Sequence, residues 1–177
     1  KRDIGLPIVK LFISEKSQKK LLSDIPKSTK EWQKSFLLLG NDLKEIKIRH
    51  RGDNPKNWFL EKKHWRIKTK KSELLGRYRY YNYIPYNLER YISGKIAQEI
   101  GLLTPRNNLV ELFINDISNG IYIESEHLNE SYLRRNKMMP VNLYKGEQIL
   151  SEIVVASDRD LFSNHNLWSK VAYFNNV

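Results

Sequence analysis

No cysteine occurs among the 177 residues, which excludes disulfides and thiolate metal sites and leaves the compartment open. No apolar run approaches the span of a membrane helix, and no signal peptide is recognisable, so a cytoplasmic location is expected. Neither common glycine-rich phosphate cradle is present, since GxxxxGK[ST] and GxGxxG are both missing. His50, His64, His127 and His165 lack zinc-ligand spacing, and no GxSxG frame supports a hydrolase triad. There is no fixed-period repeat and no low-complexity tract. Acidic residues are scarce: 20 Asp and Glu face 31 Lys and Arg. The resulting charge of +11 calls for an acidic partner, whether nucleotide, nucleic acid, phosphoprotein or membrane surface.

What is present is enough for a globular core. Apolar residues make up 40% of the chain and aromatics 11%, which suits one domain, or one lobe with part of a second. Residues 46–68 dominate the pattern. Two runs of period-two alternation flank the turn Gly52-Asp53-Asn54-Pro55. Ile46, Ile48 and His50 share one face of the first run, with Lys47, Arg49 and Arg51 on the other. Trp65 and Ile67 share a face of the second run, opposite His64, Arg66 and Lys68. Paired as neighbours, the two runs line one surface with cations, and such a surface needs an anion or open water.

Strands are also predicted over 7–14, 32–39, 109–115 and 120–126, with a small one at 141–144. Helices are predicted over 15–22, 87–100 and 129–136, with helical stretches at 149–155 and 167–174 and an acidic turn at 158–160. Leu88, Tyr91, Ile92, Ile96 and Ile100 form one stripe of the 87–100 helix, expected to face the sheet. Gly94 within it suggests close packing against a neighbour. The tyrosine-rich stretch 73–86 is read as amphipathic surface coverage rather than base contact. The order is strand, helix, three strands, long helix, two strands, then mostly helix. That is an α+β arrangement.

A lysine on a strand, then a helix with a glutamate, then two strands, is how a kinase-like amino-terminal lobe is built. Lys68 is the candidate lysine. Glu99 and Glu89 are its candidate partners, and the position of Glu99 near the middle of the apolar stripe favours it. The alternative is that Lys68 and both glutamates are solvated.

The strings IRHRGDN…WFLEKKHWRIK, LERYISGKIAQEIGLLTPRNNLVELFIN and GIYIESEHL resemble the CotH kinase family, the spore-coat-protein-H-like atypical kinases of bacteria. The resemblance rests on Lys62-Lys63-His64-Trp65-Arg66-Ile67-Lys68, Glu99-Ile100-Gly101, Pro105-Arg106, Asn115, and Gly120-Ile121-Tyr122 through Glu126, over roughly residues 40–130. Arg51-Gly52-Asp53-Asn54 is one residue shorter than the family's turn.

The resemblance implies a protein-kinase-like fold, ATP with Mg²⁺ or Mn²⁺, and phosphoryl transfer to a protein hydroxyl. It implies that Lys68 contacts phosphates, that Arg49, Arg51, Lys62 and Lys63 line the same cradle, and that Glu126 lies on the hinge side. The family's catalytic and metal-binding carboxylates belong to a carboxy-terminal lobe. Asp158-Arg159-Asp160 and His165-Asn166 are only superficially similar to those segments and come too soon. The expectation is therefore an α+β kinase-like N-lobe over 1–126, an antiparallel sheet with one main helix. It is followed over 127–177 by the hinge and the start of a helical C-lobe. Both ends look cut, and the chain as it stands is expected to be inactive. The alternative function is a basic module for nucleic acid or another polyanion.

Overall fold

The computed structural model describes residues 5–23, 25, 30–52, 56–75, 78–139, 143–146 and 168–172. The helical stretch predicted at 149–155, the turn at 158–160 and His165-Asn166 lie outside the described residues. The chain divides into two compact units, Lys1–His127 and Leu128–Val177.

The first unit is a closed seven-stranded barrel. Its strands are β1 (Ile8–Phe12), β2 (Gln33–Leu39), β3 (Asp42–His50), β4 (Trp65–Thr69), β5 (Tyr80–Pro85), β6 (Asn107–Ile114) and β7 (Ile117–Glu126). Their order around the barrel is β1-β2-β3-β4-β5-β7-β6. Every neighbouring pair is antiparallel except β1 and β6, which run parallel and close the seam.

Period-two alternation gives each strand its inward face. Val9 and Leu11 of β1, Leu37 of β2, Ile46 and Ile48 of β3, Trp65 and Ile67 of β4, Tyr83 of β5, Val110 and Leu112 of β6 and Tyr122 of β7 turn inward to form one core. Each such side chain contributes about 1.5–3 kcal/mol on burial. A slip of one residue in β3 or β4 would put its cations inside.

Helix α1 (Glu15–Leu22) starts at Ser14, whose hydroxyl accepts from the Ser17 N–H at 3.2 Å. Its Leu21 joins the core, and the Leu21 carbonyl accepts from His50 Nε2 at 2.9 Å. The short α2 (Lys56–Phe59) lies between β3 and β4.

The seam has its own fastening. Asn115 sits at φ 51°, the left-handed turn between β6 and β7. Its side-chain amide pairs twice with Ile13, accepting from the Ile13 N–H at 2.7 Å and donating to the Ile13 carbonyl at 2.9 Å.

The expected kinase-like N-lobe, an antiparallel sheet with one main helix, is not the fold. β1 pairs on both sides, so the sheet has no free edge and becomes a barrel. The main helix, α3 (Leu88–Glu99), buries no residue and forms no layer of the core. Its apolar stripe does not face the sheet: Leu88, Ile92, Ile96 and Ile100 are all exposed. Close approach occurs instead at Gly94, where a Cβ would stand 2.9 Å from Asn107 Nδ2.

The second unit contains α4 (Glu130–Arg135), capped by the Asn129 side chain, and the antiparallel pair β8 (Leu143–Gly146) and β9 (Trp168–Ala172). The stretch predicted to end the chain as helix, 167–174, therefore contains a strand. Pairing with β8 overrides its local helical tendency. No helix among the described residues is long and apolar enough to cross a membrane.

Candidate functional site

Because Ile46, Ile48, Trp65 and Ile67 point inward, the residues between them point outward. The register then sets cations side by side. One row runs Lys34, Lys47, Lys68 and Tyr80 across β2, β3, β4 and β5. The next runs Arg49, Arg66, Asn82 and Ser125 across β3, β4, β5 and β7.

Aromatic rings hold this surface. Trp32, one residue before β2, has the Lys68 Nζ 4.3 Å and the Arg49 Cζ 4.7 Å from its ring centroid. Tyr80 lies 6.4 Å from Trp32 and 5.3 Å from His127, with Arg79 stacked at 5.4 Å. Polar groups fix the arginines. Arg66 Nε donates to Asn82 Oδ1 at 2.8 Å, and Asn82 Nδ2 donates to the Ser125 carbonyl at 3.3 Å. Arg49 donates to the Lys30 carbonyl at 3.3 Å.

The electrostatics are those of a crowded cationic wall. Burial, then the charges of Arg79, Lys47 and Arg49, pull the half-buried Lys68 ammonium below the usual lysine range. Burial and the charges of Arg66, Arg51 and Arg49 hold His127 down to about 3. Burial, Arg51 and Arg90 hold His64 down to about 4. Both imidazoles are thus neutral at neutral pH. Glu45 on β3 is already paired with Lys70 at 2.9 Å.

The residues singled out in the sequence are only partly gathered. Lys68 and Arg49 meet on Trp32. The Arg51 N–H donates to the His64 carbonyl at 3.0 Å, extending the ladder, and the Arg51 charge acts on His64 and His127. Lys62 and Lys63 lie elsewhere. The Lys62 ammonium is 3.2 Å from where a Cβ at Gly120 would stand. The Lys63 ammonium donates to the Leu60 carbonyl at 3.1 Å and lines a cavity of about 200 Å³ with Ile13, Leu21 and Trp65.

Among the described residues no carboxylate lies within ion-pair distance of Lys68, so neither Glu99 nor Glu89 is its partner. Glu99 ends α3 in solvent. Glu89 lines a separate cavity of about 550 Å³ with His64, Arg90 and Ser93. The Glu126 carboxylate accepts from the Arg106 N–H at 3.1 Å and is buried. No cluster of acidic and histidine side chains among the described residues is suited to hold a metal ion.

Sequence reading missed Trp32, Asn82 and His127 as members of this surface. The period-two pattern names the cations of β3 and β4. It carries no signal for a ring 36 residues away from Lys68 in the chain.

The fold and this surface define a β-barrel with a cationic, aromatic-buttressed outer wall. The family model described as CotH kinase protein matches residues 48–173, well over half of the chain, and the chain belongs to that family. No curated protein matches it. The matched region begins inside β3 and includes Arg49, Arg66, Lys68, Asn82 and His127.

Proposed function

We propose that the barrel binds the triphosphate of ATP on the Lys68–Arg49–Arg66 wall, as the nucleotide-holding part of an ATP-dependent phosphotransferase acting on a protein hydroxyl. The observation that supports this reading most is an ammonium and two guanidiniums on one face of β3 and β4, with no carboxylate among the described residues in ion-pair contact with Lys68. Phosphoryl transfer places its charge on phosphate oxygens, and fixed cations are what stabilise them. Arg66 is oriented by Asn82, which preorganises its fork. Mg²⁺ or Mn²⁺ is proposed to arrive on the triphosphate itself, because the described residues offer it no carboxylate cluster.

A second reading has a specific observation in its favour. The row of cations continues past Lys68 to the exposed Lys47 and Lys34, farther than one triphosphate needs. A polyanion such as single-stranded nucleic acid would use that length.

Thermal shift separates the two. ATP with Mg²⁺ should raise the melting temperature, and Lys68→Ala should remove the rise. Oligonucleotide that stabilises the protein steeply less as salt increases, with no response to ATP, would favour the second reading instead.

A further inference from the structure

We infer that Trp32 is the positioning residue for Lys68, its ring face holding the ammonium where a carboxylate would otherwise do so. This rests on the proposed triphosphate site and assigns it a residue that lies before the matched segment 48–173.

Four observations support the inference. The Lys68 Nζ stands 4.3 Å from the Trp32 centroid, well inside cation–π range. No ion pair among the described residues includes Lys68. The charges around it, Lys47, Arg49 and Arg79, are all of its own sign, so without an attractive partner the ammonium would swing toward water. Trp32 itself is anchored: Gln33, the next residue, is buried and paired with Ile48, and Tyr80 buttresses the ring at 6.4 Å.

The physical difference from a carboxylate is large. An aromatic face attracts a cation through its quadrupole and carries no net charge. It therefore fixes Lys68 without neutralising it and without repelling an incoming phosphate. A glutamate in that place would have to be outcompeted by the ligand. The same ring also carries Arg49, so one side chain sets the spacing of two phosphate-facing cations.

The test measures dissociation constants for ATP and for inorganic tripolyphosphate with the whole chain, alongside indole fluorescence. Wild type should bind both, with a fluorescence change that Trp32→Phe abolishes. Trp32→Phe should keep affinity within about threefold because a ring remains. Trp32→Leu should weaken both ligands by about tenfold, equivalent to about 1.4 kcal/mol. Lys68→Met should remove binding. Equal affinity of Trp32→Leu and wild type, with Lys68→Met inactive, overturns the role of Trp32 and leaves the triphosphate site standing. Absence of binding by wild type removes the site and the inference together. A measurement independent of any variant is the proton spectrum of wild type. The Lys68 side-chain methylenes should resonate upfield of those of other lysines, and unshifted resonances overturn the inference.

Discussion

His127 is the residue at which the wall's electrostatics become a stability. It lies against Tyr80 within the field of Arg66, Arg51 and Arg49, and burial opposes its charging. Its folded value of about 3 is far below the usual 6.5, and His64 is lowered to about 4. For groups lowered in this way, stability is complete above the unfolded value and is lost as pH falls toward the folded one. The window therefore runs from about pH 6.5 down to about pH 3 for His127 and to about pH 4 for His64. Each proton taken up only on unfolding contributes a slope of up to about 1.4 kcal/mol per pH unit. The partly exposed His64 contributes less because water screens it. Urea unfolding between pH 7 and pH 5 should show stability falling by about 1 kcal/mol or more, and His127→Gln should flatten the profile. A wild-type profile already flat across that interval would refute the account.

Among the elements, α3 and β5 show most clearly what sequence can and cannot specify. The outward cations of β3 and β4 were legible, because alternation with Ile46, Ile48, Trp65 and Ile67 allows one arrangement only. β5 was not legible as a strand. Tyr81 and Tyr83 turn inward while Tyr80 and Asn82 turn outward, and tyrosine on both faces erases the polar–apolar contrast that marks a strand. In α3 the stripe Leu88, Ile92, Ile96 and Ile100 had the right period for a packed helix, but a barrel closed by its own strands leaves no open sheet for it to cover. Glu99 followed the stripe away from Lys68. Ile96→Glu should therefore change unfolding free energy by no more than about 0.5 kcal/mol. Ile67→Ala in the core should cost about 2–5 kcal/mol. Comparable losses from the two substitutions would show that α3 is part of the folded core after all.

For the barrel as a whole, the deciding feature is the parallel seam. The alternation of β1 gives its inward face but not its two partners, which is why a closed barrel could not be read from the strand order alone. Asn115 fastens that seam to Ile13, and its left-handed backbone favours asparagine over alanine. Asn115→Ala leaves two backbone groups of a buried residue without their partners, and should cost about 2–3 kcal/mol in urea unfolding. Amide exchange should accelerate first along β1. Unchanged exchange in β1 would show that the seam is held by other means.

The two residues that the clip joins are 102 positions apart in sequence. A ribosome making this protein releases β1 early and must translate almost the whole barrel before its partner β6 emerges. Until then the nascent meander keeps an unpaired edge and an uncovered apolar lining, a state that holdase chaperones bind. The barrel therefore cannot close before the late strand β6 is available, however early the hairpins pair.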